Sequence, residues 1–345
     1  MEKTKLLILR LTDRCNLRCK YCYAAMDNRD NHDFVQDMSF ETARKAIDFF
    51  AKPGDKLKIQ FTGGEPLLMT ELMEAISQYV KEKNIQTLFS LQTNGTLLTE
   101  QNCRLLKTMN CAIGISLDGM KDANNLRVYP NGQKSFEDVI KGICMLRKYT
   151  LYCNFNSVVT KQNQERLEEL IDLAAYLGNV RGVGLDMFRP LGRGKEFELV
   201  PRMESLGEDL EKMLRRRDEL QKMGVNIRIK ELEKVKCMLE GASQETCYCY
   251  AQTGLSAAVD PRGDFYPCSS FVGMKEMCMG NVETGFHFLD TVPGLNGACK
   301  ECKDLMFCKG GCPAGRVAYD GYNEADCLMH RTIIKYGREQ SNGSR

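Results

Sequence analysis

A chain of 345 residues is long enough for one large α/β domain with a smaller one, or for two domains of medium size. Lysine and arginine number 48 against 46 aspartate and glutamate, a net charge of +2, so no overall field favours nucleic acid or an anionic membrane as a partner. No stretch approaches the roughly 18 apolar residues of a membrane helix, and the N-terminal apolar run is too short for a secretory signal, so we expect a cytoplasmic protein.

Seventeen cysteines are unusual for such a chain. In a reducing compartment they are expected to hold metal or to do chemistry rather than to form a disulfide framework. Three of them lie within eight residues near the N-terminus, and nine of the other fourteen lie between Cys247 and Cys327. The cysteines therefore divide the chain into a cysteine-poor middle and a cysteine-dense end.

The first predicted element is a strand over residues 6–11, and the triplet Cys15, Cys19 and Cys22 follows it directly. Structural zinc takes four ligands, and a cubane iron–sulfur cluster normally takes four cysteines. Three close thiolates therefore predict a metal centre with one position open to a ligand that is not protein. The alternatives are a zinc site with a distant fourth ligand, or loop cysteines without a metal.

Short apolar runs then alternate with stretches of helical periodicity, one of which has Ser39 placed as its N-cap. Six strands with five intervening helices predict parallel β/α units and fall short of the eight that close a TIM barrel. We therefore predict an α/β fold, a partial (β/α)6 barrel over residues 1–200. The strands are predicted at 6–11, 56–62, 87–93, 112–117, 152–159 and 183–187, and the helices at 40–50, 68–83, 100–109, 136–148 and 165–176.

Polar and glycine-rich segments follow the predicted strands. Each alone is typical of a turn, but glycine also lets a ligand approach the backbone closely. Because the carboxyl ends of parallel strands share one edge, these segments and the cysteine triplet together predict a small-ligand site. The segments are Gly63-Gly64-Glu65-Pro66 after the second strand, Asn94-Gly95 after the third, and Ser116 to Asp118 at the end of the fourth.

Residues 201–246 are predicted to form a connector. The run Gly192-Arg193-Gly194-Lys195 ends the alternation, and a charged helix over 204–223 follows. Its arginines at 215–217 have acidic neighbours, which favours a solvated face with internal ion pairs over a nucleic-acid patch. One more strand is predicted at 226–229.

The cysteine-dense end, residues 247–345, combines a predicted hairpin (255–260 with 264–266) with frequent turns, so metal centres are expected to supply much of its folding energy. Taken alone, its cysteine pairs suit zinc as well as iron–sulfur clusters. That leaves a second class of function, a zinc-containing nucleic-acid or interaction protein. The small net charge and the lack of a basic, aromatic-interleaved face count against it.

The cysteine triplet followed by Gly-Gly-Glu-Pro after the second strand resembles the radical S-adenosylmethionine (radical SAM) superfamily, over roughly residues 5–190. The resemblance implies that the three thiolates hold a [4Fe–4S] cluster whose open iron is chelated by the amino and carboxylate groups of S-adenosylmethionine. It also implies a cofactor site in which the Gly-Gly-Glu-Pro loop meets the amino group and Tyr21 flanks the adenine. Its further members are Asn94, Ser116 and Asp118, the latter two near the ribose or methionyl end, and Arg127 toward the carboxylate.

The later cysteines are similar to the SPASM domain that follows some radical SAM barrels. The resemblance implies two auxiliary [4Fe–4S] clusters, one on Cys249, Cys268 and Cys312 and the other on Cys299, Cys302, Cys308 and Cys327. The first set is one thiolate short, and Cys247, Cys278 or an open iron remain as alternatives. The remaining cysteines are expected to be buried small apolar residues, namely Cys103, Cys111, Cys144, Cys153 and Cys237.

By the same resemblance the enzyme cleaves S-adenosylmethionine to a 5′-deoxyadenosyl radical that abstracts hydrogen from a peptide or protein. This is an oxidoreductase-type modification under anaerobic conditions that needs a low-potential donor such as flavodoxin or ferredoxin. One subclass matures ribosomally made peptides by forming thioether or carbon–carbon cross-links. The other is the anaerobic sulfatase-maturating type, which oxidises cysteine or serine to formylglycine.

The residue after Cys268 favours the first subclass. Sulfatase-maturating enzymes have there an aspartate thought to act as base, whereas this chain has Ser269. Because the triplet begins at residue 15, we expect either a separate leader-peptide recognition protein or direct binding of the substrate. The sequence assigns no catalytic base.

Overall fold

The structure, a computed structural model, describes residues 4–24, 35–51, 56–241, 248–289, 295 and 297–343. Its first half alternates strands with helices as predicted, and most boundaries agree within three residues. The elements are β1 (Lys5–Arg10), α1 (Phe40–Phe50), β2 (Lys56–Thr62), α2 (Thr70–Glu82), β3 (Gln86–Thr93), α3 (Glu100–Thr108), β4 (Ala112–Ser116), α4 (Phe136–Lys148), β5 (Cys153–Val159), α5 (Leu167–Leu177) and β6 (Val180–Met187).

The six strands pair in sequence order and in parallel, with Leu7 opposite Ile59 and Ile59 opposite Phe89. This arrangement confirms the predicted α/β fold with a parallel sheet. Sequential parallel strands with helical crossovers place every carboxyl end at one edge. The loops singled out in the sequence therefore lie on the same side of the molecule.

Side-chain alternation decides which face of the sheet is buried. On β2, Leu57, Ile59 and Phe61 have no exposed surface and face the helices, while Lys58 and Gln60 point to the other face. Helix α1 presents Ala43, Ala46, Ile47 and Phe50 to this core. Ser39 accepts a hydrogen bond from the Thr42 N–H at 3.0 Å, which confirms the predicted N-cap.

The second half of the chain extends the same sheet. It contains α6 (Met203–Lys222), β7 (Arg228–Ile229), α7 (Lys230–Leu239), β8 (Ser256–Val259), β9 (Asp264–Tyr266), β10 (Gly280–Asn281), β11 (Gly285–Phe286), α8 (Gly297–Lys300), α9 (Leu305–Cys308), α10 (Pro313–Ala318) and α11 (Glu324–Gly343). Strand β8 pairs in parallel with β1 and in antiparallel with β9, so the predicted hairpin is confirmed.

Within the described residues the strand order is β11-β10-β9-β8-β1-β2-β3-β4-β5-β6-β7. One sheet thus joins the barrel to the cysteine-dense end. The division at residues 200 and 246 remains a prediction. In the part of the chain that is described, no helix is both long and apolar enough to cross a bilayer.

The arginine run on α6 behaves only partly as predicted. Arg215 pairs with Glu211 at 2.8 Å and Arg216 with Asp172 at 2.7 Å, both at the surface. Arg217, in contrast, is buried and lies 3.0 Å from Asp218. A solvated face therefore describes two of the three arginines. The sequence reading also missed α7, having assigned a strand at 226–229 where only Arg228–Ile229 is extended.

Candidate active site

The loop that carries the cysteine triplet is held against the Gly-Gly-Glu-Pro loop by backbone hydrogen bonds. The Gly64 N–H donates to the Thr12 carbonyl at 2.7 Å, and the Glu65 N–H donates to the Arg14 carbonyl at 2.8 Å. These bonds continue the pairing of β1 with β2 beyond the ends of both strands. They fix the residue directly before Cys15 to the end of the neighbouring strand.

Both glycines are required for this contact. A Cβ on Gly64 would lie 2.1 Å from the Arg14 carbonyl oxygen, and one on Gly63 would lie 2.7 Å from the Thr12 carbonyl oxygen. Gly63 also has a φ of +155°, a conformation that favours glycine. The glycine pair therefore allows the two loops to touch through their backbones.

Glu65 links this contact to the next strand. Its fully buried carboxylate accepts from the Thr93 hydroxyl at 2.6 Å, from the Asn94 N–H at 2.8 Å and from the Leu67 N–H at 3.0 Å. Burial raises the pKa of Glu65 to about 7, against the lowering effect of these hydrogen bonds. Thr93, which the sequence reading did not select, is thus part of the site. Pro66 begins a short 3-10 turn.

Asn94 joins the end of β3 to the cysteine loop. Its side-chain N–H2 donates to the Asn16 side-chain oxygen at 2.9 Å and lies 3.9 Å from the sulfur of Cys15. The Asn16 amide in turn donates to the Thr96 hydroxyl at 2.8 Å. The Cys15 sulfur also receives the Leu17 N–H at 3.4 Å. Two amide N–H groups, from Leu17 and Asn94, therefore lie near the first thiol of the triplet.

The far side of the cysteine loop is fixed by the segment around Arg127. The Arg18 N–H donates to the Val128 carbonyl at 2.6 Å, and the Lys20 N–H donates to the Leu126 carbonyl at 3.0 Å. This pairing places the Arg127 side chain beside Tyr21, with the guanidinium 5.2 Å from the ring centroid.

Tyr21, Asp118 and Arg127 form a buried network. Arg127 contacts the Asp118 carboxylate through two nitrogens, at 3.1 and 3.2 Å, and the Tyr21 hydroxyl donates to the same carboxylate. Each of the three side chains is at most 7% exposed. Breaking a buried pair of this kind typically costs about 3–5 kcal/mol. Three residues predicted separately from the sequence are thus brought together.

Arg193 holds the cysteine loop from a third direction, which the sequence reading did not foresee. Its side chain donates to the Cys19 carbonyl and its backbone N–H to the Cys22 carbonyl, both at 3.1 Å. Burial raises the pKa of the Cys19 thiol to about 11, with Arg127 acting in the opposite direction. Without a metal the thiol is therefore protonated at neutral pH.

Ser116 is the last residue of β4 and lies opposite Asn156 of β5. It is partly exposed at the same strand edge as Asn94 and Asp118. Among the described residues, no three cysteine, histidine or acidic side chains converge at the spacing needed by a single metal ion.

The later cysteines fall into two electrostatic groups. Burial, and then the charges of Cys312 and Cys249, raise the pKa of Cys268, which reaches about 12. For Cys308, burial raises the pKa, its Gly310 N–H partner lowers it, and Cys327, Cys302 and Cys299 raise it further. The ligand sets of the two auxiliary clusters remain a prediction.

The first group lies beside the cysteine triplet. Burial raises the pKa of Tyr23 to about 12; the charges of Arg10 and Arg189 lower it, and those of Cys22 and Cys268 raise it. Arg189, which follows β6, donates to the Ser270 hydroxyl at 2.9 Å and pairs with Asp186. Two residues near the triplet and the first later group, Tyr23 and Arg189, are therefore aromatic or cationic.

Two of the remaining cysteines are not placed as expected. Cys103, Cys111 and Cys153 are buried, but Cys144 and Cys237 are exposed. Cys144 lies on the outer part of α4, and Cys237 lies on α7, an element that the sequence reading had not assigned. Cys278 packs on the same apolar cluster as Cys268 and Cys312. Cys247 lies outside the described residues.

A model described as "Radical SAM superfamily" matches residues 9–174. An uncharacterized protein of Methanocaldococcus jannaschii is 35% identical over 284 residues, covering 82% of this chain and 90% of that protein. The chain belongs to the radical SAM superfamily. A cysteine-type anaerobic sulfatase-maturating enzyme of Clostridium perfringens is 26% identical to this radical SAM enzyme over 379 residues, covering 97% and 96% of the two chains.

Solved structures agree with the fold of this radical SAM enzyme. Native anSMEcpe with bound AdoMet superposes with a TM-score of 0.83 at 23% identity, covering 99% of both chains. SuiB of Streptococcus suis bound to precursor peptide SuiA gives a TM-score of 0.63 at 19% identity, covering 93% of this chain and 75% of SuiB. Sequence relatives and structural neighbours thus include sulfatase-maturating enzymes and a protein solved with a bound precursor peptide.

The raised pKa of Glu65 predicts how the protonation of this carboxyl group, and its contribution to the stability of the radical SAM enzyme, change with pH. Because the pKa is raised from 4.5 to about 7, the carboxyl group is protonated below about pH 7 and ionised above it. Its contribution to the free energy of unfolding accordingly falls as the pH rises from about 4.5 to about 7. An infrared carbonyl band of a protonated acid, absent from Glu65→Gln, should lose half its intensity near the folded pKa.

The control for this measurement is Glu74→Gln, at an exposed position of α2, which should keep the band. If the wild type lacks the band even at pH 5, the three hydrogen bonds outweigh burial and hold Glu65 ionised.

Gly64→Ala should disturb the cysteine loop, because the added Cβ meets a backbone oxygen at 2.1 Å that no rotamer change can move. We expect a loss of about 1–3 kcal/mol in the free energy of unfolding and a lower iron content. The measurements are urea unfolding and iron analysis of anaerobically purified protein. Gly207→Ala on α6 is the control, since its new Cβ lies 3.6 Å from the nearest atom; equal results for both variants would contradict the steric argument.

Proposed function

We propose that this protein is a radical SAM/SPASM maturase that modifies a peptide or protein, forming a thioether or another cross-link. The observation that carries the proposal is the meeting of three elements at one strand edge. These are the cysteine triplet, the Gly-Gly-Glu-Pro loop tied to it through the backbone, and the buried Tyr21–Asp118–Arg127 network.

The residues of the triplet fit a [4Fe–4S] cluster. Cysteine thiolates are the ligands such clusters take, and three of them leave one iron for another ligand. Amide N–H groups near the Cys15 sulfur, from Leu17 and Asn94, suit a ligand that becomes a thiolate. Hydrogen bonds to the sulfurs are among the factors that set cluster potential. The raised pKa of Cys19 means that cluster binding must displace its proton.

When bound, the cluster supplies the electron that splits S-adenosylmethionine into methionine and a 5′-deoxyadenosyl radical, which abstracts hydrogen from the substrate. The protein's part is orientation. Tyr21 offers an aromatic face to the adenine, and its hydroxyl is held by Asp118. Arg127 supplies positive charge for the methionyl carboxylate while Asp118 restrains it. Gly63 and Gly64 admit the amino group to the backbone.

The two later cysteine groups would supply the ligands of the auxiliary clusters. Cys299, Cys302, Cys308 and Cys327 would hold one, and Cys249, Cys268 and Cys312 the other, with Cys247 or Cys278 as its fourth ligand or with an open iron. The mutual electrostatic effects within each group support this division. Such clusters would accept the second electron of a two-electron oxidation or bind a substrate thiolate.

A peptide substrate is supported by two structural neighbours. The anSMEcpe enzyme has been solved with AdoMet and a Cp18Cys peptide, and SuiB with precursor peptide SuiA. Sequence similarity over nearly the whole chain favours the sulfatase-maturating subclass as the second candidate. Against it, Cys268 is followed by Ser269 and Ser270, and Ser270 accepts from Arg189. A serine hydroxyl is a far weaker base than the aspartate which that subclass would place there.

The proposal implies a low-potential donor such as flavodoxin or ferredoxin, which would reduce the first cluster. The leader of a precursor peptide would be presented by a separate recognition protein, or the enzyme would bind its substrate directly. These requirements suit a cytoplasmic enzyme of an anaerobe.

The triplet assignment is tested by replacing Cys15, Cys19 and Cys22 with alanine, singly. Each variant should lose reductive formation of 5′-deoxyadenosine, measured by liquid chromatography with dithionite as reductant. Cys144→Ala is the matched control, since Cys144 is an exposed cysteine on a helix of the barrel. Cleavage that survives in the triplet variants would remove the basis for the proposal.

The auxiliary clusters are tested by iron content. Three cubane clusters predict about 12 irons per chain, and loss of one predicts about 8. Cys299→Ala or Cys327→Ala should give the lower value while the triplet still supports S-adenosylmethionine cleavage. A colourless, zinc-loaded wild type would contradict the assignment of iron–sulfur clusters.

The subclass is decided by the product. Peptides encoded next to the gene, and cysteine-containing sulfatase peptides, should be incubated with reduced enzyme and analysed by mass spectrometry. A thioether product lacks two hydrogen atoms and keeps its sulfur. Formylglycine made from cysteine loses the sulfur, and that outcome would establish the second candidate instead.

A further inference from the structure

The inner face of the partial barrel encloses a polar cleft of about 620 Å³. Its walls come from residues of β2 to β6, and α7 closes its lower end. On most of the strands the lining residues lie in the first half or the middle, below the site already described, and on β3 Ser90 and Gln92 extend the cleft toward that site. Nothing in the proposed chemistry of the cysteine triplet uses it.

Positive charge is concentrated at the lower end of this cleft. Lys58 from β2, Arg228 from β7, and Lys230 and Lys234 from α7 line it, with Glu233 as the carboxylate among the lining residues. Lys234 donates to the Tyr248 carbonyl at 3.1 Å. Within the described residues, Lys58, Arg228 and Lys230 form no ion pair.

The charges repel one another across the cleft. Burial and then the charge of Lys230 lower the pKa of Lys58, so two lysines from distant parts of the chain face each other. Folding has to bring these like charges together, which lowers stability. Residues that cost stability in this way often serve a ligand. A bound anion would relieve both the repulsion and part of the desolvation.

Side-chain amides line the cleft between its cationic end and the carboxyl ends of the strands. Gln60, Gln92 and Asn156 line the cleft one step higher, and the Asn156 amide donates to the Gln92 oxygen at 2.5 Å. Gly114 makes room for this pair, since a Cβ there would lie 2.5 Å from the Gln92 side-chain oxygen. The cleft is therefore lined by groups that can hydrogen-bond a peptide backbone.

The separation of the two ends sets a length. Strand β2 meets the Gly-Gly-Glu-Pro loop at Thr62. The distance along the strand from Lys58 to Thr62 is four residues, or about 13 Å at 3.3 Å per residue. An extended peptide segment of about four residues covers this distance.

We infer that the cleft binds a carboxylate of the peptide substrate between Lys58, Arg228 and Lys230, about four residues from the carbon that loses hydrogen. The inference rests on the proposed function, whose substrate class it specifies. The carboxylate is either the C-terminus of the peptide or an acidic side chain, since both present the same anion to the three cations.

The test uses three tetrapeptide probes with the reconstituted holoenzyme, in isothermal titration calorimetry. They are acetyl-tetraalanine as the free acid, acetyl-tetraalanine carboxamide, and acetyl-trialanyl-glutamate carboxamide. At least one acid should bind about tenfold more tightly than the neutral amide. Preference for the first acid identifies a C-terminal carboxylate, and preference for the second identifies a side chain.

Lys58→Met and Lys230→Met should each weaken binding of the preferred acid about tenfold. Lys141→Met, on the outer surface of α4, should leave it unchanged. A second readout needs no ligand: because repulsion is removed, Lys58→Met and Lys230→Met should unfold at higher temperature than the wild type.

Equal binding of the acids and the amide, no binding of either acid, or lower unfolding temperatures for both lysine variants would overturn the inference. None of these measurements involves S-adenosylmethionine cleavage. Their failure would therefore leave the proposed function intact, whereas failure of the proposed function would appear as cleavage that survives in the triplet variants.

Discussion

The backbone contact between the cysteine loop and the Gly-Gly-Glu-Pro loop is the constraint on which the rest of the site depends. A parallel sheet fixes where its strands end but not how the loops beyond them pack. Here the Gly64 and Glu65 N–H groups extend the pairing of β1 and β2 into those loops. The Glu65 carboxylate then links these loops to the end of β3, where it accepts hydrogen bonds from Thr93 and Asn94. Three adjacent strand ends thus become one rigid unit.

Some residues of the candidate site both connect neighbouring strands and position other side chains of the site. Asn94 orders its own loop through Thr96 and also directs its amide toward Cys15. Asp118 restrains Tyr21 and Arg127 at once while accepting the Val158 N–H at 3.0 Å. The groups proposed to orient a cofactor are held by residues that also connect strands, so the geometry of the candidate site is coupled to that of the sheet. This is the support that a precisely positioned reaction requires.

The sequence predicted the barrel well because its strands and helices are long and strongly periodic, as at β2 and α1. It predicted the cysteine triplet and the loops at the strand ends because their spacing is local. It missed Arg193 and Thr93, since their roles come from distant backbone contacts that no spacing reveals. It misplaced Cys237 because that residue lies on α7, away from the buried residues Leu232 and Val235 of the same helix. The cationic end of the cleft was not predicted for a related reason, since Lys58 and Lys230 are distant in sequence and only the fold brings them together.

Pairing of β8 with β1 has a consequence for how the protein is made. Leu7 lies opposite Ala257, so the two strands are separated by nearly the whole barrel in sequence. Contacts of such long range form late in folding. During synthesis, the outer edge of β1 therefore stays unpaired until the C-terminal part of the chain emerges. Until then the growing chain carries a free strand edge, which is open to pairing with another chain.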